Sequence, residues 1–220
     1  MLKAIVFDFD GVLSNSEPLH YAAFRDVLAT DGLALTEAEY YDRYLGYDDV
    51  GAFRAVVTDR GQSLTDARLK RWMEAKAERF EALERENGTL FPGVGALVRN
   101  MAAELPIAIA SGALRTEIIR TLDTAGLASL FQVVVGAEDT PRSKPAPDPY
   151  LLAVERLASV VGQAMEPGNC VAVEDSLWGL TSARDAGLKT VAVTQTYSAD
   201  ALQGVACLLY TSPSSRDQRG

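Results

Sequence analysis

Short apolar runs, set apart by segments of helical spacing, place the tightest limit on what this chain can fold into. Ala4–Phe7, Pro106–Ala110, Gln132–Val135, Asn169–Val173 and Thr190–Val193 each predict a strand. Between them Val94–Ala103, Leu114–Ala125, Asp148–Val161 and Leu177–Ala186 predict helices. Gly126 and Gly187 close two of these, and Asp148-Pro149 opens a third as an N-cap followed by a first-turn proline. Strands that are apolar throughout lie inside a parallel sheet covered on both faces. Crossover chirality then gives an α/β fold with a doubly wound parallel sheet. Val205–Tyr210 adds a candidate edge strand.

The first strand is not followed by a single crossover helix. From Ser14 to about Leu90 the pattern is helical only. Glu17–Thr30 is amphipathic, with Leu19, Ala22, Ala23, Val27 and Leu28 on one side. Thr36 and Glu39 have capping-box spacing; further helices are predicted near Val50–Asp59 and from Thr65 to about Glu86. The chain therefore divides into a core of residues 1–13 and 91–210, a helical insert of 14–90, and a disordered or non-native tail of 211–220 that carries no apolar residue. At 220 residues, 48% of them apolar, there is enough chain for one such domain plus an insert.

A net charge of −9 argues against nucleic acid or an anionic membrane as partner, while leaving room for one local cationic pocket. No apolar run reaches transmembrane length, and the four apolar residues before Asp8 are no secretory segment. Cys170 and Cys207 form no C-x-x-C and are expected to be buried thiols of a reducing compartment, which implies a cytoplasmic location. His20 is the single histidine, so a multi-histidine metal site is excluded.

The chemistry gathers after the strands, where open α/β sheets bind their ligands. Asp8 and Asp10 follow the first, and in a continued strand they would project to the same side, with Phe9 turned into the core and Gly11 permitting a turn. Ser111-Gly112 follows the second. Lys144 follows the third, in a segment stiffened by Pro145 and Pro147. Glu174-Asp175 follows the fourth. Taken singly, these are a turn, a helix cap, a surface lysine and acids at a helix start. Taken together in strand order, they predict one crevice of acids, a lysine and a hydroxyl. Carboxylate oxygens suit a hard divalent cation, Mg²⁺ before Zn²⁺, and Mg²⁺ pairs with phosphate. A carboxylate nucleophile beside a second carboxylate suits phosphoryl transfer in two displacements.

The ordered set Asp8-Phe9-Asp10-Gly11-Val12, Ser111-Gly112, Lys144-Pro145 and Glu174-Asp175-Ser176 with Gly179 resembles the haloacid dehalogenase superfamily. The resemblance spans about residues 2 to 205 and is nearest the subgroup of β-phosphoglucomutase and of sugar- or glycolate-phosphate phosphatases. It implies a Rossmann-like core with the 14–90 insert as a helical cap. It implies Asp8 as nucleophile, Asp10 as general acid/base, and Ser111, Gly112 and Lys144 as phosphoryl-binding groups. It implies Mg²⁺ held by Asp8, the Asp10 carbonyl and Asp175, with Glu174 in or near the shell. Asp10 excludes dehalogenation, whose branch lacks that second acid. In the cap, His20, Arg54 and Lys76 are candidate substrate contacts, although Lys76 reads first as a plain surface lysine. Asp48 and Asp49 stand where the mutases have a basic residue, the wrong sign for a second phosphate. The expected activity is thus a phosphatase of a small phosphorylated metabolite, with a phosphomutase as alternative and a catalytically inactive binding protein as a third. A monomer or weak homodimer is expected.

Overall fold

The computed structural model describes residues 1–45, 47 and 49–210; Gly46 and Asp48 of the insert, and the proposed 211–220 tail, lie outside the described residues. Contacts divide the described residues into two compact units, 1–15 with 89–210, and 16–88.

In the first unit Ala4–Phe7 forms β1, Ile107–Ala110 β2, Val133–Val135 β3, Cys170–Glu174 β4, Lys189–Val193 β5 and Leu208–Tyr210 β6. All pair in parallel, in the order β3-β2-β1-β4-β5-β6. The chain winds outward from β1 through β2 to β3, then returns to the far side of β1 for β4. The direction of winding thus reverses between β1 and β4, the place where such sheets open a crevice at their carboxyl ends. The register puts Phe7 level with Ile109 on one side and Val173 on the other.

Side-chain alternation divides the strands between two cores. Ala4, Val6, Ala108, Ala110, Val133 and Ala172 meet Tyr150, Ala153, Val154 and Leu157 of a helix at Asp148–Val161, and Ala183 of another at Leu177–Asp185. Ile5, Phe7, Ile107, Ile109 and Val134 meet Val94 and Val98 of Val94–Glu104, and Ile118 and Leu122 of Arg115–Thr124. Fully burying each such aliphatic side chain contributes about 1.5–3 kcal/mol, so both sheet faces need a helical layer.

The second unit holds α1 (Glu17–Thr30), α2 (Glu37–Glu39), α3 (Asp49–Asp59) and α4 (Asp66–Asn87); the helices of the first unit are then α5 (94–104), α6 (115–124), α7 (148–161), α8 (177–185) and α9 (Ala199–Leu202). Thr36 and Glu39 do form a capping box, but α2 has only one turn and runs into a π-helical turn at Tyr40–Tyr44. Phe24, Leu28, Phe53, Val56 and Trp72 fill this unit's own core. The Trp72 indole N–H donates to Asp31 at 3.1 Å, which satisfies the polar end of a side chain only 1% exposed.

Three local expectations change. Asp148 does not cap α7: Pro147 holds that position, and the Asp148 carboxylate accepts from the Arg142 guanidinium at 3.0 and 2.9 Å instead. Cys170 is buried as expected, but Cys207 is exposed, because it precedes β6 at the sheet margin. β1 stops at Phe7, so Asp8 and Asp10 do not continue one strand. No described helix is long and apolar enough to cross a membrane.

Candidate active site

The backbone at the end of β1 does two things in sequence. The Asp8 N–H donates to the Val173 carbonyl at 2.9 Å, carrying the parallel ladder one residue past the strand and burying Asp8 to 8% exposure. The chain then turns: the N–H groups of Val12, Leu13 and Ser14 all donate to the Phe9 carbonyl, at 3.4, 2.9 and 2.8 Å. Phe9 is buried in the core that also holds Phe7, and Asp10 is exposed on the turn. Gly11 has φ 76°, and a Cβ there would overlap the Asp175 carboxylate. The glycine is needed twice, for its conformation and for the approach of β4's end.

Lys144 joins the strand ends. Its Nζ lies 2.8 Å from Asp8 Oδ1 and 2.6 Å from Glu174 Oε1, its side chain is 12% exposed, and it stands 5.1 Å from the centre of the Tyr150 ring. Glu174 is fully buried and fully occupied. Oε1 accepts from Lys144 and from the Tyr150 hydroxyl at 3.0 Å; Oε2 accepts from the Asp175 N–H at 3.0 Å, the Ser176 N–H at 3.1 Å and the Ser176 hydroxyl at 3.0 Å. The Gly179 backbone passes so close that a Cβ on it would overlap this carboxylate. Asp175 accepts a hydrogen bond from the Thr196 hydroxyl.

Burial and charge pull these groups apart in acidity. Burial pushes the Asp8 carboxyl well above the usual range, and the Glu174 charge pushes it further, against the pull of Lys144. Burial raises Asp175 to about 6, with Thr196 opposing and Glu174 adding to the rise. Burial also opposes ionisation of Glu174, but Lys144 and the backbone donors outweigh it and lower that pKa. Lys144 is held as a firm cation, since Asp8 and Glu174 overcome its desolvation. Two buried carboxyls that resist ionisation beside an anion form a site that a cation would stabilise.

Asp8, Glu174 and Asp175 offer carboxylate oxygens all within 4.8 Å of one another, an all-oxygen set suited to a hard divalent cation. Asp8 commits Oδ1 to Lys144 and Asp175 commits Oδ2 to Thr196, so each has a second oxygen to offer. Glu174 has five donors already, which makes it the anchor of the cluster more than a direct ligand. Mg²⁺ therefore fits Asp8 and Asp175.

Ser111 follows β2, beside Asp8's strand. It is 3% exposed, donates its N–H to the Val135 carbonyl at 3.0 Å, and its hydroxyl oxygen accepts from the Ala113 N–H at 3.1 Å. Gly112 is exposed next to it. Tyr150 and Thr196 are site residues that the strand-end reading passed over. Thr196 follows β5, so extending the same rule by one strand points to it.

In the helical unit, the reading of Lys76 as a surface residue is overturned. Lys76 is 3% exposed, its ammonium donates to both Asp49 oxygens at 2.8 Å, and lies 2.8 Å from His20 Nδ1. His20 stacks on Phe80 at 4.3 Å, and burial, then Lys76, lowers its pKa to about 4. Arg54 is exposed on α3, where its carbonyl accepts from the Thr58 hydroxyl.

A sequence profile for haloacid dehalogenase-like hydrolases matches residues 5–193. Protein CbbY of Rhodobacter capsulatus is 32% identical over 204 residues, covering 90% of this chain and 87% of its own. A phosphorylated carbohydrates phosphatase of Thermotoga maritima is 31% identical over 193 residues, covering 86% and 84%. Among solved structures, CbbY from Rhodobacter sphaeroides in complex with phosphate superposes with a TM-score of 0.74 at 28% identity, covering 96% of this chain and 94% of that one.

Proposed function

This chain belongs to the haloacid dehalogenase-like hydrolase family, and we propose that it is a Mg²⁺-dependent phosphatase of small phosphorylated sugars acting through an aspartyl phosphate on Asp8. The observation that carries the reading is the buried Asp8 carboxylate held at 2.8 Å by Lys144, within a cluster of acids that suits one divalent ion. The substrate class rests on the relatives: besides the carbohydrate phosphatase, a fructose-1-phosphate phosphatase of Escherichia coli is 28% identical over 189 residues.

Asp8 attacks phosphorus, the bond to the ester oxygen breaks, and Asp10 gives that oxygen a proton. Asp10 then takes a proton from the water that attacks the aspartyl phosphate, releasing phosphate and the Asp8 carboxylate. Ser111, the Gly112 amide and Lys144 bind the phosphoryl oxygens. Mg²⁺, held by Asp8, the Asp10 carbonyl and Asp175, supplies neutralising charge when bound. His20, Arg54 and Lys76 remain candidates for substrate selection; the pairing of Lys76 with Asp49 supports hydrolysis over the phosphomutase alternative, since a neutralised lysine is a poor second phosphate site.

Release of phosphate from p-nitrophenyl phosphate, with Mg²⁺ and with EDTA, tests the reading. Wild type should turn over only with Mg²⁺, and Asp8→Asn should show no turnover; wild-type rates in Asp8→Asn would sink the mechanism. A folded wild type that releases nothing, yet converts β-glucose 1-phosphate with a bisphosphate primer, would establish the mutase instead. Failure of both would support the inactive binding protein.

A further inference from the structure

The turn that follows β3 grips the loop that carries Ser111. The Ala137 N–H donates to the Ala113 carbonyl at 2.9 Å. The Glu138 carboxylate accepts from the Arg115 backbone N–H at 3.2 and 3.3 Å. Asp139 accepts from the Arg115 guanidinium at 2.7 and 2.6 Å, from Arg156 at 2.9 Å and from the Gly136 N–H at 2.8 Å. Gly136 is packed between these partners: a Cβ on it would lie 2.6 Å from the Arg115 nitrogen and 3.1 Å from the Ala113 carbonyl oxygen. Four consecutive residues of one turn thus fix both ends of the segment running from Ala113 to Arg115, immediately after Ser111 and Gly112.

The start of α6 leaves few amides for a ligand, and the grip removes one of them, the Arg115 N–H. The Ala113 N–H goes to the Ser111 hydroxyl oxygen, the Leu114 N–H to Glu117 at 3.4 Å, and the Arg115 N–H to Glu138. Three successive helix-start donors are answered from within the protein, two of them by carboxylates. An anion arriving there is thereby confined to Gly112 and the Ser111 hydroxyl and cannot slide along the helix end.

We propose that Glu138 and Asp139 are positioning residues for phosphoryl binding, acting through the Ser111–Arg115 segment without touching the substrate. This rests on the phosphatase reading above. Asp139, side chain 11% exposed and holding two arginines, is the structural root of the clamp. Glu138, exposed, is the member that can be altered with least risk to the fold.

The experiment is a kinetic cycle on the Mg²⁺-loaded enzyme with p-nitrophenyl phosphate, combining Glu138→Ala with Ser111→Ala. A misplaced binding loop should lower kcat/KM of Glu138→Ala roughly tenfold, mainly through KM, and weaken inhibition by inorganic phosphate in parallel. Glu138→Gln keeps an acceptor for the Arg115 N–H and should stay within about twofold of wild type; in the Ser111→Ala background the Glu138→Ala effect should shrink, because both act on one element. Amide hydrogen exchange at residues 113–116, read without substrate, should speed up in Glu138→Ala and not in Glu138→Gln. Wild-type kinetics in Glu138→Ala, or losses fully additive with Ser111→Ala, would overturn the inference alone. A wild type without Mg²⁺-dependent release would overturn the phosphatase reading, and this inference with it.

Discussion

Glu174 shows how a single residue can organise a site without reacting. Its five hydrogen bonds place Lys144, start the β4–α8 turn and lock Tyr150. The space it occupies exists only because residue 179 has no side chain. Gly179→Ala should therefore cost at least about 3 kcal/mol, read as a fall in Tm, since a methyl group must displace a buried, hydrogen-bonded carboxylate. Thr196 acts on a neighbouring acid with a different outcome. Thr196→Val keeps the shape but removes the donor to Asp175. The variant should fold normally and need roughly tenfold more Mg²⁺ for half-maximal activity, measured by metal titration of turnover. An unchanged Mg²⁺ requirement would show that the hydroxyl does not orient that carboxylate.

At the scale of elements, the helical unit keeps a pH-sensitive contact inside it. Burial, and then the Lys76 ammonium facing Nδ1, hold the His20 imidazole neutral and lower its pKa to about 4 in the folded chain. Because that is below the usual 6.5, the contact's stability is intact above pH 6.5 and is lost as pH falls toward 4, where the unfolded chain takes a proton that the folded one resists. His20 is the only histidine, so its ring resonances in NMR give one unambiguous curve; a midpoint near 6.5 would contradict the contact. The strands are readable in the sequence because each is a compact apolar run, and the grouping of Asp8, Glu174, Asp175 and Lys144 because they stand in order at the strand ends. Lys76 was not readable. Its environment is assembled from positions 20 and 49, and along α4 alone it looks like one more charge on a charged helix. Tyr150 was hidden for the same reason: its hydroxyl is needed by Glu174, 24 residues away, and nothing in its local pattern says so. Asp148 was misplaced as a cap because Asp-Pro is a good helix opener locally, and only the folded loop brings Arg142 against it.

For the whole molecule, the two raised carboxyls link folding to metal. Asp8 and Asp175 titrate above their unfolded values, so the metal-free chain is favoured at low pH; for Asp175 that contribution, up to ~3 kcal/mol, is lost as pH rises through about 6. Mg²⁺ should reverse the loss. The rise in Tm on adding Mg²⁺ should therefore be larger at pH 7.5 than at pH 5, as calorimetry would show; an equal rise at both would mean that the ion binds elsewhere. The arrangement that brings this about, one lysine set among Asp8, Glu174 and Asp175, has a kinetic corollary. When all three acids are ionised the pocket carries a surplus of two negative charges, and a phosphate ester adds two more. A divalent ion would restore neutrality, so the charge balance of the pocket predicts ordered arrival, cation before substrate, which initial rates measured while varying both would check.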